Sequence, residues 1–159
     1  MIVSVDPGLS GGVALVDGPS LIDVVPMPTT LFQVNPKKQM VDGRELADHL
    51  YHWIAVHDVR RAVVERVGPR PNQGVSSMFN FGMSYGIVLG VFAALNMPVD
   101  MVSPQQWKKE LELGSDKDLS RHMAVMLWPD FSETFSRKKD DGLAEAALLG
   151  YWFEEYSSL

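Results

Sequence analysis

The stretch from Ile2 to Gly18, which reads IVSVDPGLSGGVALVDG, decides the fold. Its first residues are largely β-branched and predict a short strand with Asp6 at its end. The proline and glycines of residues 7–12 then predict a turn before a second apolar strand. A carboxylate held at a strand end beside such backbone suits a divalent metal, because a hard cation prefers oxygen ligands on rigid supports. The alternative is that Asp6 is a turn residue whose side chain hydrogen-bonds its own backbone.

Size and composition predict one globular domain over residues 1–159, since 46% of the residues are hydrophobic. We expect a cytoplasmic protein, because no apolar run reaches membrane-spanning length by inspection and the chain starts with a strand instead of a signal segment. Cysteine is absent, so any metal must be held by oxygen or histidine. The net charge of −6 argues at first against a nucleic-acid partner, but carboxylates gathered around divalent cations would be compensated.

The first third of the chain predicts an antiparallel meander, then a loop and a helix. The meander strands are residues 2–5, 12–16 and 21–25. Residues 26–39 predict a loop, because prolines and polar residues dominate them, and its Lys37-Lys38 pair could contact a phosphate backbone. An amphipathic helix follows from an N-cap at Asp42 to about His57.

Glu65 closes the next predicted strand, residues 61–65. The residues before it form a continuous apolar run, which is typical of a strand buried on both faces. Because a buried unpaired carboxylate is costly, a place at the end of the sheet favours a ligand role once Asp6 lies beside it. The following loop, residues 67–74, carries Arg70 and is expected at the rim of the same site.

A long helix is predicted over residues 76–95, with Gly82, Gly86 and Gly90 at every fourth position. Glycine weakens a helix, so this stripe predicts that another backbone lies close against it. That backbone could belong to the sheet or to a second subunit. A further short strand, residues 97–102, follows the helix.

The next helices open with a cap and with basic residues. Ser103 and Pro104 are a serine cap and a proline at the first helical position. A second helix from about Asp116 carries Lys117 and Arg121 in its opening turns. Cations at a helix start oppose the helix dipole, so Lys117 indicates an anion outside the helix.

The final predicted helix, residues 140–156, is acidic at its start. Asp141 and Glu145 are four residues apart and therefore project from one face. Two like charges there weaken the helix unless a cation lies between them, whereas Asp140 alone complements the helix dipole. The alanines that follow keep the helix thin enough to lie close to the sheet.

Over nearly the whole chain, the order of these motifs resembles the RuvC family of Holliday junction resolvases. The matching motifs are Asp6-Pro-Gly, Glu65 at the end of the fourth strand of the main sheet, Ser103-Pro-x-x-Trp-Lys108, Gly114-x-Asp-Lys117 and Asp141-Gly-Leu-Ala-Glu145-Ala-Ala. The resemblance implies an α/β fold of the RNase H-like type. It has a five-stranded mixed sheet, with three antiparallel strands and then parallel ones, flanked by helices. The resemblance also implies a homodimer that nicks opposed strands of four-way DNA junctions.

By position, the resemblance implies a set of catalytic residues. Asp6, Glu65, Asp141 and Glu145 would bind two Mg²⁺ ions, which Mn²⁺ can replace, and Lys108 and Lys117 would lie near the scissile strand. The bacterial enzymes end with two aspartates three apart, whereas the spacing of four with glutamate is similar to viral and organellar relatives. This leaves open whether Asp140 replaces Asp141. The residues expected to contact DNA are Lys37, Lys38, Arg66, Arg70, Lys108, Lys109, Lys117, Arg121, Lys138 and Lys139.

Other functions stay open at this point. An RNase H-like nuclease acting on forks, flaps or RNA–DNA hybrids would use the same carboxylates. The Asp-x-Gly-x-Ser-Gly-Gly turn also resembles the first phosphate loop of sugar kinases and actin-like ATPases, but those proteins need two such domains. The complete set of carboxylates weighs against an inactive junction-binding protein. Neither a membrane nor a nucleotide cofactor is expected.

Overall fold

The computed structural model describes residues 1–32, 35–68, 74–114 and 116–157, and for residues 35–37 and 117 it describes the backbone alone. The strands are β1 (Ile2–Asp6), β2 (Gly12–Asp17), β3 (Ser20–Pro26), β4 (Thr29–Phe32), β5 (Asn35–Val41), β6 (Arg61–Glu65) and β7 (Val99–Val102). The α-helices are α1 (Gly43–Val56), α2 (Val75–Ala94), α3 (Pro104–Glu110), α4 (Lys117–Leu127) and α5 (Asp141–Tyr156). Two short 3₁₀ helices, Pro129–Phe131 and Lys138–Asp140, precede α5.

The main sheet has five strands in the order β3-β2-β1-β6-β7. The pairs β1–β2 and β2–β3 are antiparallel, whereas β1–β6 and β6–β7 are parallel. Side chains alternate across the sheet, as the twofold period of a strand requires. Ile2 belongs to the core on the face covered by α5, and Val3 and Val5 belong to the core on the face covered by α1 and α2. The predicted RNase H-like architecture is confirmed.

The loop predicted over residues 26–39 is wrong in part. Thr29–Phe32 and Asn35–Val41 pair antiparallel as a separate two-stranded sheet. The prolines suggested a loop, but a proline is tolerated in an edge strand, where its missing N–H is not needed by a neighbour. Both strands of a two-stranded sheet are edges, so Pro36 does not prevent the pairing. Threonine, leucine and phenylalanine in β4 are residues that favour strands.

Helix α5 lies directly against β1 and β2, and three of its alanines, Ala144, Ala146 and Ala147, are fully buried. A Cβ on Gly150 would come within 2.5 Å of Ser4 Oγ and 2.7 Å of Val16 Cγ2. The Ser4 hydroxyl donates a 2.7 Å hydrogen bond to the carbonyl oxygen of Ala146. The predicted close approach of the final helix to the sheet is confirmed.

Helix α2 differs from its prediction in two ways. A Cβ added at Gly82, Gly86 or Gly90 would meet nothing within 4 Å among the described residues, so the sheet is not the backbone that approaches this stripe. The helix is also long and apolar enough, by length and composition alone, to be a candidate membrane span, which corrects the expectation that no run reaches that length. One such helix is weak support for a membrane role. Its inner face, including Val88 and Phe92, is buried against the sheet side of the core.

Candidate active site

Two of the predicted ligands lie at the ends of neighbouring parallel strands. The register pairs Val5 of β1 with Val64 of β6, so Asp6 and Glu65 follow as the last residues of strands about 4.8 Å apart. One carboxylate oxygen of Asp6 also accepts a 3.0 Å hydrogen bond from the backbone N–H of Gly8. Asp6 therefore makes the hydrogen bond expected of a turn residue, and it also lies where a metal ligand is expected.

The start of α5 brings a third carboxylate to the same end of the sheet. A Cβ on Gly142 would collide with the carbonyl oxygen of Ser10 and with Gly11 Cα, so α5 begins against the turn that follows Asp6. Asp141 is the first residue of α5 and is 7% exposed. The second residue of α5 is Gly142, and a larger residue would not fit there because this part of the helix lies against the β1–β2 turn.

Helix α3 contacts two of the carboxylates through adjacent residues. The indole Nε1–H of Trp107 donates a 3.0 Å hydrogen bond to Oε2 of Glu65. Lys108 Nζ lies 2.6 Å from Oε1 of Glu145 and 5.1 Å from the centroid of the Trp107 ring. Both members of the Lys108–Glu145 pair are largely shielded from solvent. Asp6, Glu65 and Glu145 therefore lie within electrostatic reach of one another, and Asp141 begins α5 at the same end of the sheet, with α3 beside them.

The electrostatics of this cluster are seen in Glu65, whose pKa is raised to about 7. Burial is the largest cause, and the negative charges of Asp6 and Glu145 raise the pKa further. The charge of Lys108 and the hydrogen bond from Trp107 act in the opposite direction. The acidic charge at this site exceeds what Lys108 compensates, and such a surplus favours a bound cation.

The residues fit a hard divalent cation by their chemistry. All four donors are carboxylates, the ligand type that Mg²⁺ and Mn²⁺ prefer. Within the described parts of the chain, no three acidic or histidine side chains already stand at metal-binding distances from one another. The Lys108 ammonium already occupies one oxygen of Glu145.

Comparison with known proteins agrees with this geometry. No protein-family model matches the chain. The crossover junction endodeoxyribonuclease RuvC of Corynebacterium diphtheriae is 24% identical over 127 residues, which cover 79% of this chain and 76% of that protein. Thermus thermophilus RuvC in complex with a Holliday junction substrate superposes with a TM-score of 0.59 at 17% identity, over 96% of this chain and 92% of that one. A second T. thermophilus RuvC structure gives a TM-score of 0.52 at 18% identity, over 96% and 93% of the two chains.

The chain is RuvC-like. Its strand order and its flanking helices agree with the resemblance that the motifs indicated.

Asp140, the alternative to Asp141 in this RuvC-like site, has a different set of contacts. It is 3% exposed and accepts hydrogen bonds from the backbone N–H, Nε and Nη2 of Arg137 at 3.0, 2.9 and 3.0 Å. The Arg137 guanidinium holds the pKa of Asp140 below its ordinary value. These contacts hold the segment before α5 in place. They favour Asp141 over Asp140 as the candidate metal ligand.

Eight of the ten predicted DNA-binding residues, all except Lys108 and Arg121, fall into three groups. Arg66 lines a cavity that Glu65 also borders, whereas Lys38 lines a cavity with residues 8–10 and Lys109 lines one with Lys108. Lys138 and Lys139 are exposed in the turn before α5. The third group lies outside what the structure describes, and it consists of Arg70 and the side chains of Lys37 and Lys117.

Arg121 has structural contacts in this fold. Its guanidinium lies 2.5 Å from Oδ1 of Asp118 and donates to the carbonyl oxygen of Ser136 at 3.2 Å. The side chain is 15% exposed, so its charge is largely used in joining α4 to the segment that follows it. The expectation that Arg121 contacts DNA gains no support from this arrangement.

Trp107 is the functional residue that sequence reasoning missed. The tryptophan belongs to the Ser-Pro-x-x-Trp-Lys motif, but its hydrogen bond to Glu65 could not be read from that motif. The signal in the sequence was a side chain with an N–H donor directly before Lys108, a residue that was itself expected near the site. Being fully buried and bonded to Glu65, Trp107 is a positioning residue.

Proposed function

We propose that this RuvC-like chain is a Holliday junction resolvase. It is a Mg²⁺-dependent endonuclease that makes paired nicks in opposed strands of a four-way DNA junction, in recombination and repair. The observation that carries the proposal is the convergence of Asp6, Glu65, Asp141 and Glu145 at one end of the sheet. The similarity to RuvC over 79% of the chain supports it.

The carboxylates have the role of ligands in this proposal. The four of them would hold two Mg²⁺ ions, and Mn²⁺ would suit the same oxygen donors. When bound, the ions supply Lewis acidity at the attacking water and at the leaving 3′ oxygen, which yields 5′-phosphate ends. Trp107 keeps Glu65 turned toward the site by its hydrogen bond to Oε2.

Lys108 supplies positive charge where the scissile phosphate binds. Its ammonium stands beside Glu145 and over the face of Trp107, so its position is fixed before substrate arrives. A fixed cation stabilises the negative charge that develops on the phosphate without reorganising in the reaction. Lys117, at the start of α4, is proposed to act in the same way on the scissile strand.

The paired nicks need two active sites, and we propose that a homodimer supplies them. Helix α2 has no charged residue from Val75 to Ala94, and Val75 and Phe79 are 87% and 70% exposed. The space beside Gly82, Gly86 and Gly90 is open in the single chain. A second copy of α2 would fill that space, because a twofold interface brings the same face of each subunit together.

DNA contacts and location complete the proposal. Arg66 borders a cavity together with Glu65, and Lys38 borders a cavity with the turn that follows Asp6. Lys109 follows Lys108 on α3, and Lys138 and Lys139 add basic charge just before α5. A junction-processing enzyme works where the DNA is, so we propose a cytoplasmic, DNA-associated protein.

The test is cleavage of a synthetic four-way junction with strands labelled in turn, in Mg²⁺ and in EDTA. We expect paired nicks in opposed strands with Mg²⁺ and none with EDTA. Asp6→Asn should abolish cleavage and leave junction binding largely intact, because the amide loses the charge that a cation needs. The matched control is Asp48→Asn, which removes an exposed carboxylate from α1 and should cleave as the wild type does.

Three results would contradict the proposal. Full cleavage by Asp6→Asn would remove the metal-binding role of the carboxylates. Faster cleavage of an RNA–DNA hybrid, fork or flap than of the junction would indicate the broader RNase H-like activity. ATP turnover without DNA would point to the kinase-like alternative.

A further inference from the structure

Helix α3 is joined to α5 by two polar contacts. Lys108 Nζ lies 2.6 Å from Oε1 of Glu145, near the start of α5. Farther along α5, the indole N–H of Trp152 donates a 2.6 Å hydrogen bond to Oε2 of Glu110. Glu145 and Trp152 are seven residues apart, so they lie on one face of α5 and are separated by about 10 Å along its axis. The two contacts therefore attach α3 to α5 at one point beside the carboxylates and at a second point away from them.

The bond between Trp152 and Glu110 joins a buried group to an exposed one. Trp152 is 2% exposed, and its single N–H donor needs a hydrogen-bond partner because burial removes water. Glu110 is exposed on α3, and a carboxylate is a stronger acceptor than a neutral oxygen. Without this bond the glutamate side chain would sample many rotamers in solvent. The contact therefore orders Glu110 and attaches the end of α3 to α5.

Helix α3 depends on such contacts for its orientation. It has seven residues, Pro104–Glu110, which is too short to be stable by itself. Trp107 and Leu111 are buried in the core and hold the helix there, but apolar contacts are non-directional and do not by themselves set its rotation. Lys108 and Glu110 are about 200° apart around the helix axis, since successive residues turn by about 100°. Because both reach α5 from nearly opposite sides of α3, together they resist its rotation.

The rotation of α3 decides the contacts that its residues make with the carboxylates. Trp107 donates a 3.0 Å hydrogen bond to Glu65, and such a bond weakens steeply when the donor turns away. We propose that Glu110 is a positioning residue of the active site. Its bond to Trp152 sets the rotation of α3, and this rotation aims the Trp107 indole at the carboxylates. The inference rests on the proposed function, and both residues of the new pair lie outside the motifs that indicated the family.

The first test follows the indole N–H groups of Trp107 and Trp152 by NMR, in EDTA and without DNA. Their resonances are assigned by their loss in Trp107→Phe and Trp152→Phe. We expect Glu110→Ala to shift both, because it releases one indole directly and the other through rotation of α3. Glu110→Gln keeps an acceptor oxygen and should leave the Trp107 resonance close to that of the wild type. The control, Glu155→Ala, removes an exposed carboxylate from α5 and should not shift the Trp107 resonance.

The second test measures cleavage of a four-way junction at increasing Mg²⁺ concentration. Glu110→Ala should slow cleavage about 3- to 10-fold, less than the loss of a group that bonds a ligand directly. The Mg²⁺ concentration for half-maximal cleavage should rise, because Glu65 loses part of the orientation that Trp107 gives it. Glu110→Gln should recover most of both losses, which a role for the charge alone would not allow.

Trp152→Phe removes the same hydrogen bond from the other partner. It should raise the Mg²⁺ requirement as Glu110→Ala does, and the double variant should need no more Mg²⁺ than Trp152→Phe alone, because both changes break one contact. Trp128→Phe is the matched control. Trp128 is also buried, and its indole N–H donates instead to the carbonyl oxygen of Pro19. This variant should lose stability and keep the wild-type Mg²⁺ requirement.

The outcomes separate the two levels of the proposal. If the wild type does not nick the junction in Mg²⁺, the proposed function and the role of Glu110 are both overturned. If the wild type nicks it while Glu110→Ala keeps the wild-type Mg²⁺ requirement and Trp107 resonance, the positioning role alone is overturned. An equal rise in the Mg²⁺ requirement of Trp128→Phe would assign the effect to lost stability and also overturn that role. A shifted Trp107 resonance in Glu110→Ala, with recovery in Glu110→Gln, supports it.

Discussion

Helices α5 and α2 carry the same sequence signal and are packed in opposite ways. Both are apolar and both contain glycine at intervals. In α5, a Cβ on Gly142 or Gly150 would collide with β1, β2 or the turn between them, whereas Gly82 and Gly86 of α2 face open space within the chain. A glycine in a helix leaves a gap on the helix surface, and only the tertiary structure shows whether another part of the protein fills that gap.

The difference has a functional meaning. The start of α5 approaches the β1–β2 turn closely, and this places Asp141 at the end of the sheet where the proposed site lies. Helix α2 leaves its glycine face exposed, which is the arrangement that a contact with a second copy would need. The following predictions test this contrast, from the largest expected effect to the smallest.

Gly142→Ala should have the largest effect. Its Cβ would collide with backbone atoms of Ser10 and Gly11, which cannot move aside as a flexible side chain can. We expect the free energy of unfolding to fall by about 3 kcal/mol, at the upper end of the usual cost of overpacking, and junction cleavage to be lost. Urea denaturation measures the first effect. Gly82→Ala is the matched control, and equal losses in both variants would show that the contrast between the helices is false.

Trp107→Phe should reduce cleavage about 10- to 100-fold, as expected when a group that orients a metal ligand is removed. Phenylalanine keeps most of the packing and lacks the N–H that bonds Glu65. The Mg²⁺ concentration needed for half-maximal cleavage should rise, which a purely structural role would not cause. An unchanged Mg²⁺ requirement with normal cleavage would remove Trp107 from the site.

Ser4→Ala tests the attachment of α5 to the sheet without changing its backbone contacts. The variant removes a fully buried hydroxyl and leaves the carbonyl oxygen of Ala146 without that donor. We expect a loss of about 1–2 kcal/mol in the free energy of unfolding. Ser20→Ala, at an exposed position of β3, should stay within about 0.5 kcal/mol of the wild type. A loss in Ser20→Ala as large as in Ser4→Ala would contradict the assignment.

Gly86→Ala should give the smallest change in the free energy of unfolding, and it tests whether α2 forms a contact with a second copy. Alanine favours the helix by about 1 kcal/mol over glycine, and its Cβ meets nothing within 4 Å in the single chain. The free energy of unfolding measured on the monomer should therefore rise slightly. If a second copy packs on this face, sedimentation will show a weaker dimer. A dimer of unchanged strength would place the interface elsewhere.

Sequence patterns predicted the elements of the site well where the signal was local. Asp6 and Glu65 were predicted as neighbours because both close apolar strands, and the register of β1 with β6 agrees. The helix cap at Asp42 was also predicted, and Asp42 accepts hydrogen bonds from the backbone N–H groups of Arg44 and Glu45. Local chemistry of this kind depends on residues a few positions apart, which the sequence displays directly.

Contacts between distant residues could not be predicted in the same way. Asp140 is bound by Arg137, three residues earlier, and this pairing has no distinctive sequence pattern. It favours Asp141 as the candidate ligand, a choice that the sequence left open. Arg121, which is predicted to contact DNA, binds Asp118 and the carbonyl oxygen of Ser136 in the structure, and the sequence showed neither contact. The pairing of residues 29–32 with residues 35–41 was missed, because proline is typical of loops and the sequence does not show that Pro36 lies in an edge strand.

The sequence by itself determined the strands and helices, the acidic residues at their ends and the RuvC-like order of motifs, because hydrophobic period, turn residues and caps act over short distances. Only the tertiary structure decided which glycines are enclosed, and that Trp107 bonds Glu65 while Lys108 faces Glu145. These facts depend on which elements pack together, and that is set by the burial of the whole core at once.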